Sequence, residues 1–439
     1  MVSQKNHIER SMSNKTFTLL EYKAIYALKE LTEPCYDEHQ NLVVPQNTFD
    51  AIEKFYYDNS AVQSYFLPSK KQGKKALTAQ NYVGVIQTKD GTTIEILPKI
   101  RNLDTVESKN ILVKMLKTLK KSPFKNFNMA HLKSSNMPLL EIFITMFLDE
   151  LEKLIQRGLK SDYITKEENL AYLKGKLNIK EQISRNYIHK ERFFVAYDEY
   201  LSDRIENRLI KTALQYVYKK SKSNTNKKRI REYLFVFDEV GVSHHVKSDF
   251  SKVKLGRQMK DYELVLLWAK TFLLDNSYTP HKGNDLAFAL LFDMNLLFES
   301  YVSHYLKMNS KYNSMQVSTQ DKSHHLLYEN NKGVFQLKPD IVLKNNRSII
   351  VMDTKWKVLE NKRVAREDIY QLYGYGKKYK EEGRSQKLYL IYPKTIDLVG
   401  SEYNYYRNEE ENDLPLDVVF FDLSVDLRKN PLSKLIIEE

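Results

Sequence analysis

Two apolar runs near the C-terminal end, parted by five polar residues, leave this stretch of chain little choice of local structure. Leu337-Lys338-Pro339-Asp340-Ile341-Val342-Leu343 and Ile349-Ile350-Val351-Met352-Asp353-Thr354-Lys355-Trp356-Lys357 are β-like, and Lys344-Asn345-Asn346-Arg347-Ser348 between them is a turn cluster. The pattern predicts an antiparallel hairpin in which both acids approach one edge of a sheet. Side chains alternate along a strand, so Asp353 and Lys355 share a face and Thr354 takes the other.

A carboxylate pair beside an ammonium suits phosphodiester hydrolysis. That reaction needs a deprotonated water, neutralised charge on the phosphate and a stabilised leaving oxygen. Asp340 and Asp353 are candidate ligands for Mg²⁺, a hard cation that prefers carboxylate and water oxygens, with the Thr354 carbonyl as a further ligand. Lys355 would orient the water and offset developing negative charge. A bare Asp-x-Lys is common, and alone it reads as a strand-end salt bridge.

The neighbouring residues add weight. Asp285 to Leu306 carries Ala289, Leu290, Phe292, Leu296, Leu297, Val302 and Tyr305 at helical spacing, which predicts one long helix holding Glu299 as a third acid. An isolated Glu on a helix is otherwise a solvated charge. Arg366 to Tyr375 also reads as helical, with Gln371 and Tyr375 on one face at i,i+4, placed either to touch the substrate or to hold the lysine.

Taken in order, Glu299, Pro339-Asp340, Asp353-x-Lys355 and Gln371-x-x-x-Tyr375 resemble the PD-(D/E)xK nuclease superfamily. The segments Phe292 to Val302, Lys338 to Ile341 and Asp353 to Lys357 are more closely similar to the McrC family, the nuclease subunits of modification-dependent McrBC restriction systems. So are Tyr82 to Ile86 with Ile94 to Ile100, and Leu173 to Leu177 through Tyr197-Asp198-Glu199-Tyr200 to Asn207 to Lys211. The resemblance covers most of the chain. It implies a DNA endonuclease with Asp340, Asp353, Lys355, Glu299 and Gln371 as catalytic residues. One or two Mg²⁺ ions would be held by Asp340, Asp353, Thr354 and Glu299. It also implies a separate AAA+ GTPase, a McrB-like hexamer that translocates modified double-stranded DNA, whose hydrolysis this chain would stimulate. Residues before about 255 would bind that ring.

Composition is compatible with such partners. The net charge of +13 favours a polyanion, although the lysines are scattered and acids are numerous, as in any lysine-rich soluble protein. Thirty tyrosines and twenty phenylalanines offer stacking surface as well as core. Cys35 is the single cysteine, which excludes an internal disulfide and a cysteine zinc finger and fits a reducing cytoplasm. No run approaches the roughly twenty apolar residues of a membrane helix, so a cytoplasmic protein without a membrane partner is expected. His244-His245 and His324-His325 lack metal-ligand spacing and read as loop histidines. No Gly-x-x-x-x-Gly-Lys-Ser/Thr occurs, so no nucleotide site is expected in this chain.

The expected architecture is multidomain, α+β and α/β. Residues 1–105 form an α+β domain with a hairpin over 81–98 turning at Asp90-Gly91, and helices over Thr18 to Leu31 and Thr48 to Tyr56. Lys70 to Lys75 reads as an exposed basic loop. Residues 106–254 form a mainly helical, partner-binding region, where Asp198, Glu199, Asp203 and Glu206 read as caps and ion pairs rather than a second metal site. Residues 255–439 form a restriction-endonuclease-like mixed sheet flanked by helices, with strands at Lys387 to Pro393 and Leu416 to Leu423. Ser277 to Asn284 is expected as a break and Asn408 to Asp413 as a polar excursion. Two other functions remain open on the residues: an autonomous repair or structure-specific nuclease, and an activator of the AAA+ partner whose nuclease centre is vestigial.

Overall fold

A computed structural model describes residues 16–58, 64–100, 104–119, 123–124, 137–274, 286–308, 315–357, 364–394, 401–404 and 414–424. The expected break at Ser277 to Asn284 and the excursion at Asn408 to Asp413 lie outside these residues. The chain packs as two compact units, Met1–Asn136 with Ser277–Glu439, and Met137–Asn276.

The first unit is discontinuous in sequence because a strand from its second segment completes a sheet begun in its first. Thr16–Leu20 pairs parallel with Thr93–Leu97, which pairs antiparallel with Tyr82–Thr88, which pairs antiparallel with Leu286–Asp293. Gly84 permits the last contact: its φ is 144°, and a Cβ there would lie 2.0 Å from the Leu290 carbonyl oxygen. Ile86, Ile94, Ile96, Ala289 and Leu291 share one core with Phe49, Ile52 and Phe55 of the helix Gln46–Asp58. Fully burying each of the isoleucine, leucine and phenylalanine side chains here contributes ~1.5–3 kcal/mol.

Packing therefore divides the chain differently from the expected borders near 105 and 255. Helix Thr105–Leu116 contacts strand Thr93–Leu97 within the first unit, and helix Lys260–Leu273 belongs to the second. Composition marks loops, but it does not say which loops separate cores. Three local expectations change as well. The single helix over Asp285 to Leu306 is a strand, Leu286–Asp293, followed by a helix, Met294–Met308. Phe288 to Phe292 are all buried, and an apolar run covered on both faces has no alternation to distinguish strand from helix. Thr18 to Leu31 is two strands, Thr16–Leu20 and Ala24–Leu28, with left-handed Tyr22 between them at φ 64°. The basic run Lys70 to Lys75 is the tip of a hairpin between Phe66–Lys71 and Lys74–Ala79, turning at Gln72-Gly73.

Beside a five-stranded sheet, Cys35–Tyr36, Leu42–Pro45, Ala24–Leu28, Lys74–Ala79, Phe66–Lys71, this unit holds a six-stranded mixed sheet in the order Gln316–Thr319, Ile341–Lys344, Ser348–Thr354, Ser385–Pro393, Pro415–Phe421, Ser401–Asn404. The expected hairpin is present, with Ile341 opposite Met352 and Asn345 N donating to Ser348 O across the turn. Helix Arg366–Tyr379 makes the crossover between the parallel strands Ser348–Thr354 and Ser385–Pro393. Its Leu372, Tyr375 and Tyr379 pack on Val351, Leu388 and Leu390. Phe298, Tyr301 and Tyr305 of helix Met294–Met308 meet Phe421 edge-on.

The second unit combines a three-stranded sheet, Lys176–Leu177, Phe193–Leu201 and Asp162–Leu170, with four long helices, Leu139–Arg157, Ile205–Lys220, Asn224–Val236 and Lys260–Leu273. The acids expected to serve as structural partners do so: Asp198 bonds Thr165, Glu199 pairs with Lys166, Asp203 with Arg208 and Glu206 with Arg204. His245 precedes the short helix Val246–Lys252, and His325 opens a strand instead of lying in a loop. Among the described residues no helix is long and apolar enough to cross a membrane.

Candidate active site at the end of a hairpin

Continuing the hairpin register one step past Ile341 and Met352 sets Asp340 opposite Asp353. Directly opposed residues hold their Cβ atoms about 4.5–5.5 Å apart, so two carboxylates here repel unless something positive stands with them. Asp340 is fixed by Thr354, whose backbone N and Oγ1 both donate to Oδ2, at 2.8 and 2.7 Å. Asp353 is 1% exposed. Its Oδ2 lies 2.7 Å from Lys355 Nζ as an ion pair, yet takes no aligned hydrogen bond. Lys355 Nζ donates to Gln371 Oε1 at 2.9 Å, and Gln371 Nε2 donates to the Tyr375 hydroxyl at 2.7 Å. The i,i+4 pair on the crossover helix thus holds the lysine.

Glu299 sits on the helix of the opposite face, and Gln320 Nε2 reaches it at 2.7 Å while also lying 3.4 Å from Asp340 Oδ1. Gln320 was not legible as a site residue, since it carries no motif in a polar stretch. Its backbone is left-handed at φ 53°, and its N–H donates to Asp340 O at 2.9 Å. Among the described residues no three His, Cys, Asp or Glu side chains are grouped so as to hold a metal. The glutamine joins Glu299 to the pair, and the carboxylates that face one another are Asp340 and Asp353.

The electrostatics follow from burial. Desolvation pushes Asp340 up despite the Thr354 bonds, and desolvation with the facing Asp340 charge pushes Asp353 up despite Lys355. Glu299 is pushed up to about 7 by burial and by Asp340, against the pull of Gln320 and Lys338. For Lys355, burial acts downward, but Asp353 and Asp340 outweigh it and the net direction is up. Lys355, with a weaker pull from Lys338, is set against buried Asp353 and half-buried Asp340 and Glu299, a deficit of positive charge that a divalent cation would fill. The orphaned Asp353 Oδ2, the facing Asp340 and the oxygen chemistry of the set fit Mg²⁺.

Residues 77–393 match the family described as McrBC 5-methylcytosine restriction system component. The chain belongs to that McrBC family. A curated relative, the type IV methyl-directed restriction enzyme EcoKMcrBC of Escherichia coli (strain K12), is 23% identical over 273 residues, covering 57% of this chain and 76% of its own. The fold is similar to that of a chain in a refined half-complex of Thermococcus gammatolerans McrB AAA+ hexamers with bound McrC. The TM-score is 0.67 at 20% identity, over 94% of this chain and 96% of that one.

In this McrBC family member a further carboxylate, Glu21, anchors the strand end that carries Lys355. Trp356 Nε1 donates to both Glu21 oxygens at 3.1 Å, and its ring lies edge-on to Phe298, 5.5 Å away. Glu21 is wholly buried and pushed up to about 8 by desolvation, although Lys99 N and Trp356 bond to it. A lone Glu between two short strands gave no sequence signal for this role.

Proposed function

We propose that this chain is the Mg²⁺-dependent endodeoxyribonuclease of a McrBC-type restriction system, acting on 5-methylcytosine-containing duplex DNA with a McrB-like AAA+ GTPase whose hydrolysis it stimulates. The observation that carries the reading is buried Asp353 facing half-buried Asp340, with Lys355 Nζ 2.7 Å from an otherwise unsatisfied Asp353 oxygen. Membership of the family supports the restriction role, and the McrB hexamers of the structural relative support the partner. Mixed-sheet topology with the acids and lysine at the end of a hairpin supports a PD-(D/E)xK centre.

Asp340 and Asp353 would hold the cation, with the Thr354 carbonyl as a further oxygen. When bound, Mg²⁺ supplies Lewis acidity and lowers the pKa of a coordinated water. Thr354 keeps Asp340 oriented through two hydrogen bonds, leaving Oδ1 to the site. Lys355, steadied by Gln371, offsets charge developing on the phosphate. Glu299, through Gln320, biases the orientation of Asp340.

The test is reconstitution with the AAA+ partner on methylated and unmethylated duplex. Cutting should require Mg²⁺, nucleotide and methylation, and should vanish in Asp340→Asn while nucleotide hydrolysis remains stimulated. Robust cutting without partner or nucleotide would instead favour an autonomous nuclease. Stimulated hydrolysis without any metal-dependent cutting by the unaltered chain would leave only an activator.

A further inference from the structure

Between Gln320 and Asp340 the chain leaves the six-stranded sheet as a two-stranded ribbon, His325–Glu329 paired with Lys332–Gln336, and then returns to it. Both ends of the ribbon are fastened at the site. Gln320 N donates to Asp340 O at 2.9 Å, and Leu337 N donates to His324 O at 2.9 Å. The Tyr379 hydroxyl donates to Asp321 at 2.7 Å and its ring meets His324 edge-on at 4.3 Å. The base of the ribbon is thereby tied to the helix that carries Gln371 and Tyr375.

The ribbon buries little of its own apolar surface. Leu327, Tyr328 and Phe335 are 55%, 63% and 68% exposed, and Tyr370 on the adjoining helix is 71% exposed. A lone hairpin has no core to bury such side chains in, so these side chains are left facing solvent beside the site. Phe335 adds a separate signal. Its φ is 55°, a strained conformation for a bulky residue, and the ladder skips the Leu326–Phe335 pair. Stability gains nothing from holding a solvent-facing ring on strained backbone.

Charge selects the occupant. Lys378 Nζ lies 5.9 Å from the Tyr328 ring centroid and Lys377 Nζ 5.8 Å from that of Tyr373, so ammonium groups lie among the aromatic faces. An apolar protein surface would have to desolvate those ammoniums, whereas nucleic acid offers phosphates to the cations and stacking or sugar faces to the rings. We infer that this ribbon and the adjoining helix face hold the DNA flanking the scissile phosphate. Tyr328 and Phe335 lie against bases or sugars, and Lys377 and Lys378 against phosphates. The inference rests on the nuclease reading of the site, because the ribbon springs from residues that touch it.

The full chain with its AAA+ partner is compared with Phe335→Gly and with Lys377→Ala/Lys378→Ala. Phe335→Gly removes the ring and relieves the backbone, so its melting temperature should be equal or higher while KM for DNA rises about tenfold at unchanged kcat. The lysine pair should lower the slope of log affinity against log salt by about 1–2. Unchanged KM and salt slope overturn the inference. So does unaltered DNA affinity with lost self-association in sedimentation, which would make the ribbon an interface between copies. A Tyr328→p-benzoylphenylalanine photoprobe in the Asp353→Asn protein reads contact without cleavage. Cross-linking to DNA there supports the ribbon even if the unaltered chain cuts nothing, an outcome that would sink only the nuclease reading, and absence of cross-linking with cutting intact sinks only the ribbon.

Discussion

Two carboxylates are buried to similar depth in the two units, and the protein treats them in opposite ways. Glu141, 4% exposed on helix Leu139–Arg157, accepts from Ser221 Oγ, Lys222 N, Ser223 N and Asn226 Nδ2. Asp353, 1% exposed, faces another acid and leaves one oxygen without an aligned donor. Taking a carboxylate out of water costs several kcal/mol unless donors or cations replace the lost hydration. Around Glu141 that replacement is complete, and the residue fastens the start of helix Asn224–Val236. Around Asp353 it is partial. Burial alone therefore does not single out a candidate site; burial with a shortfall of positive charge does.

The contrast can be broken most directly by exchanging charge for amide at each position. Asp353→Asn should lower cutting by at least ~10³-fold, since the proposed cation would lose a ligand, while the metal-free melting temperature stays level or rises as the repulsion is removed. Glu141→Gln should do the reverse: its NH2 would face inward-pointing donors, costing on the order of 1–3 kcal/mol of stability, with cutting per folded molecule unchanged. Cutting retained by the first variant, or stability retained by the second, removes the distinction. Lys355→Ala comes next, with kcat about 10²–10³-fold lower and KM for DNA little altered. An equal change in KM would mean that the lysine binds substrate rather than stabilising charge.

The hairpin with Asp340, Asp353 and Lys355 was legible because two local signals agreed there, short β-branched runs and a polar turn between them, and the pleat then put Asp353 and Lys355 on one face. Gln371 and Tyr375 were legible as neighbours on a helix, although only folding could choose the lysine as their target. Strand Leu286–Asp293 carries no local signature because Leu286 to Phe292 are all apolar, and the same ambiguity hides the discontinuous first unit. Gln320 and Glu21 were invisible for another reason. Each acts across long sequence separation, Gln320 toward Glu299 and Asp340 and Glu21 toward Trp356, and no local pattern encodes a partner that distant.

Protonation sharpens the same comparison at smaller amplitude. Asp340 and Asp353 both titrate above the ordinary carboxylate range, and Glu299 near 7, so the metal-free site retains protons toward neutrality. On the proposed reading Mg²⁺ would have to expel them, and its affinity should rise with pH and level off above about 7, with proton release visible by calorimetry in buffers of different ionisation enthalpy. A flat profile would mean that the cation does not bind these acids. Glu21 bears on stability instead. Its folded pKa, about 8, exceeds its ordinary value of 4.5, so the folded chain binds more protons between them. Stability should fall as pH rises through that window, by on the order of a few kcal/mol at most, and change no further above it. Denaturant titration of Glu21→Gln should show the slope flattened.

The smallest effect belongs to Glu199, one of four acids in a stretch that reads from the sequence as caps and ion pairs. Its ion pair with Lys166 is open to water, at 36% and 37% side-chain exposure, and Lys166 is the largest influence holding it below the usual carboxylate range. Solvent screens such a pair, and removing one member leaves the other fully hydrated. Glu199→Gln should therefore change neither melting temperature nor metal-dependent cutting measurably, and its pH dependence should match that of the unaltered chain. A loss of Mg²⁺ affinity in this variant would show that the charge deficit around Asp340 and Asp353 is not what defines the site.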